Sequence, residues 1–307
     1  MIKKIIKYSL SFIFYYSGFI AILRWIQRRQ ESLKILVYHR VNDNTESSSP
    51  TIFTERFRRH AAYLRKHYNV VKLTDMVAHL KNHKEMPHGA VAVTFDDGYK
   101  DIAKSVSAIV RKFDFPITVF LATDYVGRNK MLWTDSLYFY FKEKDRINEF
   151  ARFREDLKNK SNEDRIVEIE KLKPKIQKDF MLDWIDIEEL SSDNRIEIGS
   201  HTQTHPVLTK ADRDTALREI CGSKKDIEQR IKKRICGFSY PAGKFNEEIK
   251  RIVKDSGFDY ACSVGGKFNT KDLDLFALSR INIDNCPVFV FATELCGILS
   301  WMRKLVK

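Results

Sequence analysis

The sequence predicts an α/β barrel built from repeated β-strand–α-helix units. Two observations predict it: short apolar, β-branched runs alternate with segments of helical periodicity, and polar residues stand where several of these runs end. Alternating strands and helices favour a parallel sheet. Many such units in one chain favour a barrel with its functional residues at the carboxyl ends of the strands. The chain has 307 residues, of which 43% are hydrophobic, so it can bury a large core.

The predicted elements follow one another along the chain. The strands are residues 33–41, 69–73, 89–95, 116–123, 195–198, 237–240 and about 260–264. The helices between them are residues 53–68, 75–81, 101–113 and 246–257. Apolar spacing at Phe57, Ala61 and Leu64 indicates the first helix, and Thr74 is the expected N-cap of the second.

A charge-rich segment from about 137 to 189 interrupts this alternation. Its pattern is helical, and it is expected to be a helical insertion between two βα units. Its charge runs favour solvated helix faces, with a lid or a membrane-docking element as the alternative.

The first thirty residues form a separate apolar and basic segment, followed by a single domain over residues 31–307. An uncharged run, Tyr8 to Leu23, is flanked by Lys7 on one side and Arg24 on the other, with further basic residues beyond both. Sixteen helical residues span only about 24 Å, so a helix lying in the membrane interface or a short tilted anchor is expected. An apolar helix packed on the domain, or an uncleaved signal anchor, is the alternative. The apolar segment 288–307, which ends in Arg303, Lys304 and Lys307, could close the fold or touch lipid.

Charge and cysteine content narrow the class of partner and the compartment. The net charge is +13, which could meet nucleic acid, an anionic membrane or an acidic substrate. No basic-aromatic motif of a nucleic-acid module is evident, so a membrane surface is expected and nucleic acid is not. The five cysteines lack CxxC spacing, which favours free thiols and the cytoplasmic face of the inner membrane.

Two motifs at predicted strand ends carry candidate chemistry. Asp96 and Asp97 end the strand 89–95, and His201 and His205 follow the strand 195–198. Each pair alone has a plain reading, as an Asp-Gly turn or as loop histidines. Together, on one face of a barrel, two imidazoles and one carboxylate would hold a divalent ion, and the second carboxylate could take a proton from water.

A third motif, "YPAG" at 240–243, ends another strand. Gly243 gives a turn that can aim a backbone N–H at a developing oxyanion, although such a sequence is commonly a loop. Pro241 and Gly243 of this motif, together with Trp133 before the insertion, are the expected substrate-binding residues.

In this order, "TFDDG", "SHTQTH" and "YPAG" resemble the first three motifs of NodB-type polysaccharide deacetylases, carbohydrate esterase family 4. The resemblance covers most of residues 33–290. It implies a distorted (β/α)7 barrel that removes acetyl groups from N-acetylated sugars with a divalent metal, usually Zn²⁺, with Co²⁺, Ni²⁺ or Mn²⁺ as alternatives. It implies that Asp97, His201 and His205 hold the metal. It also implies that Asp96 is the general base and that Tyr240 donates its backbone N–H to the oxyanion.

The chain departs from the family pattern at two places. The third motif lacks its usual Arg, and the last motif, Leu-x-His, reads "LSRIN" with Arg280 in place of the histidine. The N-terminal "VYHRV" resembles a subgroup of exopolysaccharide deacetylases in which a histidine after Tyr takes that role. His39 is therefore the expected general acid, with a structural histidine as the alternative. Arg280 is expected to supply the missing positive charge and pair with Asp96, with a surface salt bridge as the alternative.

The expected function is metal-dependent N-deacetylation of an amino sugar in a surface polysaccharide or its lipid-linked precursor. The partners are then an N-acetylated glycan or glycolipid and a membrane surface. Deformylation of a lipid-linked amino sugar is a second enzymatic reading. A glycan-binding relic of the fold, without turnover, is the non-enzymatic one.

Overall fold

The computed structural model describes residues 2–29, 32–44, 46–82, 86–270 and 273–305, with the backbone alone described at 2–4, 301 and 303–305. The strands are β1 (Ser32–Tyr38), β2 (Arg40–Val41), β3 (Thr51–Ile52), β4 (Asn69–Val70), β5 (Ala90–Phe95), β6 (Ile117–Leu121), β7 (Ile196–Ser200), β8 (Gly237–Ser239), β9 (Tyr260–Val264), β10 (Asn269–Thr270) and β11 (Leu278–Asn282).

The helices surround these strands. They are α1 (Ile2–Tyr16), α2 (Phe19–Gln27), α3 (Thr54–His67), α4 (Leu73–Lys81), α5 (Ser107–Phe113), α6 (Trp133–Glu143), α7 (Ile147–Lys158), α8 (Asn162–Leu172), α9 (Trp184–Ser192), α10 (Arg213–Ile231), α11 (Glu247–Asp255), α12 (Val288–Leu295) and α13 (Ile298–Leu305). A π-helical turn, Ile102–Val106, leads into α5. Thr74 lies inside α4 rather than capping it, because that helix begins at Leu73.

Seven parallel strands close into a barrel, in the order β1, β5, β6, β7, β8, β9 and β11. The ring closes because β1 pairs in parallel register with both β5 and β11. All residues of β1 and β5 are buried, as their near-continuous apolar sequences require in a sheet covered on both faces. The predicted (β/α)7 barrel is confirmed. The strand β11, which carries Arg280, was not among the predicted strands.

The helices expected from about 137 to 189 are present as α6 to α9 between β6 and β7. They have their own apolar cluster, in which Trp133, Leu137 and Phe141 of α6 pack against Leu157 and Ile169. The insertion is therefore a packed layer rather than a loose excursion.

The apolar N-terminal run differs from the single helix expected. It breaks at Gly18, which has a φ of 82°, and α1 and α2 meet there at 77°. No described helix is alone long and apolar enough to cross a bilayer, whereas α1 and α2 together reach that length and composition. The C-terminal run is likewise two helices, α12 and α13, separated at Gly297, and Lys307 lies outside the described residues.

Candidate active site

One cavity opens at the carboxyl ends of the barrel strands, with a volume of about 470 Å³. Seven of the ten residues singled out from the sequence line it: His39, Asp96, Asp97, His201, His205, Tyr240 and Gly243. They come from the ends of four strands, β1, β5, β7 and β8, which the closure of the barrel brings to one mouth. Arg280 lies directly beneath this cavity, against Asp96.

The two adjacent carboxylates point to different partners because the chain turns sharply between them. Asp96 still belongs to the sheet, since its N–H donates to the carbonyl of Tyr38 at 3.0 Å. Asp97 and Gly98 then adopt left-handed φ angles of 78° and 86°. Such a conformation is uncommon for a residue other than glycine, and Asp97 holds it at the mouth of the cavity.

Asp97 faces two imidazoles. Its Oδ1 lies 3.5 Å from Nε2 of His201 and 3.5 Å from Nε2 of His205. The three ligand atoms lie within 4.8 Å of one another. Two donors bound to one tetrahedral zinc at about 2.1 Å each would lie about 3.4 Å apart. The spacing of these three side chains therefore suits a shared cation better than direct hydrogen bonds.

The histidines are oriented and uncharged, as metal ligands must be. Nδ1 of His201 donates to the carbonyl of Ser239 at 2.7 Å, which leaves the lone pair of Nε2 facing Asp97. His205 is held on a tight loop, where its backbone N–H donates to Oγ1 of Thr202 at 3.1 Å. Burial lowers the pKa of both histidines, so both are neutral at pH 7.

Asp97 itself shows that the site suits a cation. Its Oδ1 is buried and has no hydrogen-bond partner among the described residues. Burial, and then the neighbouring charge of Asp96, raise the pKa of Asp97 well above its ordinary value. A divalent ion held by Asp97, His201 and His205 would satisfy this oxygen and offset that cost. The carboxylate–imidazole donor set fits Zn²⁺ and other borderline divalent ions.

Asp96 is engaged differently, by a buried arginine. The Arg280 guanidinium donates to both carboxylate oxygens of Asp96 at 2.7 Å, in a bidentate pair. Its remaining N–H groups reach Ser239, Thr94 and the carbonyl of Ser263. Burial alone would raise the pKa of Asp96, but the charge of Arg280 brings it well below the usual range. Asp96 is therefore ionised and fixed in orientation, and the pair is not the surface salt bridge that was the alternative for Arg280.

His39 comes from the end of β1 and lines the same cavity. Burial lowers the pKa of His39 to about 4, the charge of Asp96 opposes this shift, and Arg280 adds to it. The ring is therefore neutral at pH 7 in this structure. It would gain a proton only when negative charge develops beside it.

The oxyanion donor expected at Tyr240 needs correction. The backbone N–H of Tyr240 donates to the carbonyl of Cys262 at 3.0 Å, because it continues the pairing of β8 with β9. Ala242, two residues on, lines the cavity with a φ of 55°, and its N–H has no acceptor among the described residues. Gly243 is needed for this turn, since a Cβ there would lie 2.7 Å from the backbone nitrogen of Val264.

Two expected substrate-binding residues lie outside the cavity. Pro241 is buried where it begins the short turn 241–243. Trp133 starts α6 and packs beneath Arg165, with its ring centre 4.8 Å from the guanidinium carbon. It borders a second, mainly apolar cavity of about 370 Å³, while its neighbours Leu132 and Thr134 line the catalytic one. Neighbouring residues at a helix start point in different directions, which the sequence did not resolve.

The structure adds residues that the sequence did not single out. Arg154 and Lys158 of α7 line the cavity, as do Asn282 at the end of β11 and Asp284 just after it. The helical insertion therefore supplies one wall of the cavity. Nothing in its sequence distinguishes these two basic residues from the many others on solvated helix faces.

The sequence was compared with family models and with known proteins. Residues 83–261 match the family model described as polysaccharide deacetylase. The poly-beta-1,6-N-acetyl-D-glucosamine N-deacetylase of Staphylococcus aureus is 21% identical over 273 residues, which cover 85% of this chain and 81% of that protein.

Two solved structures share the fold. IcaB from Ammonifex degensii has a TM-score of 0.63 at 17% identity, covering 87% of this chain and 97% of that one. The Streptococcus pyogenes deacetylase PplD, in complex with acetate, has a TM-score of 0.61 at 17% identity, covering 83% and 93%.

Proposed function

The chain belongs to the polysaccharide deacetylase family, hydrolases of carbon–nitrogen bonds, and on that premise we propose that it removes acetyl groups from N-acetylated amino sugars in a metal-dependent reaction. The observation that carries the proposal is the separation of two adjacent carboxylates in one cavity. Asp97 faces His201 and His205, whereas Asp96 is ionised and held by Arg280. One carboxylate can serve a cation while the other remains free to accept a proton.

The base is Asp96. A divalent cation held by Asp97, His201 and His205 would polarise the acetamide carbonyl and acidify the attacking water. Asp96 accepts the proton of this water as the new carbon–oxygen bond forms. Its low pKa makes it a weak base, so it depends on that acidification. Arg280 keeps the carboxylate ionised and fixes its orientation through the bidentate pair.

The acid is His39, and the oxyanion donor is Ala242. The backbone N–H of Ala242 supports the negative charge that forms on the carbonyl oxygen. This charge raises the proton affinity of the His39 ring, which takes up the proton from Asp96 and passes it to the leaving nitrogen. The carbon–nitrogen bond then breaks, and the products are acetate and a free amino sugar.

The substrate class is an N-acetylglucosamine-type glycan, as a polymer or as a lipid-linked precursor. The printed name of the Staphylococcus aureus relative, a poly-beta-1,6-N-acetyl-D-glucosamine N-deacetylase, supports this class. The prediction of a cytoplasmic membrane face is carried forward as a proposal, supported by five free cysteines.

Product analysis tests the reaction. The purified chain, loaded with Zn²⁺, is given a β-1,6-linked N-acetylglucosamine oligomer and, separately, a lipid-linked N-acetyl sugar. We expect equimolar acetate and free amine from at least one of them. Formate from an N-formyl analogue, with no acetate from either substrate, would overturn deacetylation in favour of deformylation. Absence of any product would favour a glycan-binding relic.

A further inference from the structure

We propose that α1 and α2 form a membrane-docking face that lies flat on an anionic bilayer and holds the mouth of the catalytic cavity at its surface. This proposal deepens the proposed function, because it names where the substrate is met, and its first step can be tested without any turnover.

The face is the largest concentration of exposed apolar side chains in the described residues. Sixteen large hydrophobic residues are exposed among all the described residues, and nine of them lie between residues 5 and 26. They are Ile5, Ile6, Phe12, Ile13, Tyr16, Phe19, Ile22, Trp25 and Ile26. The other seven are scattered over the rest of the described chain. Single exposed apolar residues are ordinary, but nine of them on two consecutive helices mark an interaction surface.

The opposite side of the same helices is fixed to the domain. Tyr8 of α1 contacts the ring of Phe289 edge-on at a centroid distance of 6.1 Å, and Tyr15 lies 6.2 Å from the ring of Tyr63. In α2, Arg24 donates to the hydroxyl of Tyr63 at 2.9 Å. Gln27 donates to the carbonyl of Cys296 at 2.9 Å. The helix pair is therefore oriented by the fold, with its apolar face turned away from the barrel.

The positive charge of this segment favours an anionic lipid surface as the partner of the face. Residues 1–30 contain six Lys and Arg and no Asp or Glu. A second copy of the same face would bring two such basic segments together without an acidic partner. An anionic lipid surface would attract them, and a helix with an apolar side, basic residues and an interfacial tryptophan such as Trp25 suits a position in the headgroup region. The 77° bend opposes a straight span across the bilayer.

The face reaches the rim of the catalytic cavity. Nζ of Lys7 lies 3.5 Å from Oδ2 of Asp284, and Asp284 lines that cavity. Ile5 and Ile6, which are exposed, immediately precede Lys7. Contact of α1 with a bilayer would therefore place the opening beside the lipid headgroups, where a lipid-linked glycan would meet it.

Vesicle flotation of the full chain tests the docking. The probes are vesicles with about one-third phosphatidylglycerol in phosphatidylcholine, and vesicles of phosphatidylcholine alone. We expect binding that is stronger on the anionic vesicles. The double variant Ile13→Asp/Ile22→Asp should weaken vesicle binding by about a hundredfold, because two apolar side chains that would enter the bilayer are lost. The matched control, Ile185→Asp/Leu217→Asp, changes exposed apolar residues elsewhere and should bind as the wild type does.

Turnover then separates docking from catalysis. Both double variants should hydrolyse a short soluble oligomer at the wild-type rate, and only Ile13→Asp/Ile22→Asp should lose turnover of a vesicle-embedded lipid-linked sugar. Wild-type chain that does not float with vesicles, or equal flotation of both double variants, would overturn the proposal. A dimer that Ile13→Asp/Ile22→Asp dissociates would overturn it in favour of a second copy. Failure of the deacetylase proposal would instead appear as no turnover by any variant, with flotation unchanged.

Discussion

Replacement of Asp96 by Asn is expected to lower kcat by about 10²–10⁴-fold while leaving metal binding intact. The substitution removes the proton acceptor but keeps the size of the side chain, and the cation-facing group is Asp97, not Asp96. Steady-state acetate release and metal content of the same preparation measure the two effects.

Three further variants separate the loss of turnover from the loss of metal. Asp97→Asn should lose both metal and turnover, and His39→Gln should lose turnover but retain metal. Asp179→Asn changes an exposed carboxylate that does not line the cavity, and it should alter neither. Full turnover by Asp96→Asn would remove the base assignment, and normal turnover by His39→Gln would remove the proposed acid.

Replacement of Arg280 by Met should destabilise the fold by about 3–5 kcal/mol. Methionine fills similar space but leaves the Asp96 carboxylate buried without its partner, and the guanidinium makes five hydrogen bonds in the barrel. Chemical denaturation of the metal-free protein at pH 7 measures the loss. A loss below about 1 kcal/mol, the range of an exposed pair, would contradict the buried pairing.

The destabilisation should depend on pH in a defined direction. Pairing with Arg280 depresses the pKa of Asp96 in the folded state below its unfolded value of about 3.9. The pair therefore contributes stability above about pH 4, and this contribution is lost as the pH falls through the folded-state pKa. The difference between wild type and Arg280→Met should shrink at acid pH. The double variant Asp96→Asn/Arg280→Met should recover part of the loss at pH 7, because no unpaired charge remains.

Much of the barrel and the cation-facing group could be predicted from local patterns. Strands buried on both faces leave near-continuous apolar runs, and the parallel arrangement brings their carboxyl ends together. Asp96, Asp97, His201 and His205 could therefore be placed at one mouth. The pairing of Arg280 with Asp96 was one of two alternatives, and the complete burial of the Arg280 side chain decides against a surface salt bridge.

The other features of the site depend on three-dimensional details that the spacing of residues in the sequence does not show. Which backbone N–H of the "YPAG" turn can reach a substrate depends on where the pairing of β8 with β9 ends. The N–H of Tyr240 is still bonded to β9, whereas the N–H of Ala242 has no acceptor among the described residues. The bend between α1 and α2 depends on the left-handed φ of 82° that Gly18 adopts. The wall formed by Arg154 and Lys158 depends on how the insertion folds back over the barrel.

Metal reconstitution tests the central claim most directly. The chain is stripped with a chelator and titrated with Zn²⁺, while bound metal and acetate release are measured together on one substrate. The account predicts one ion per chain, with acetate release restored in proportion to it, and at least tenfold weaker binding in His201→Ala. Acetate release that persists in the stripped protein, or a wild-type chain that binds no metal, would contradict it.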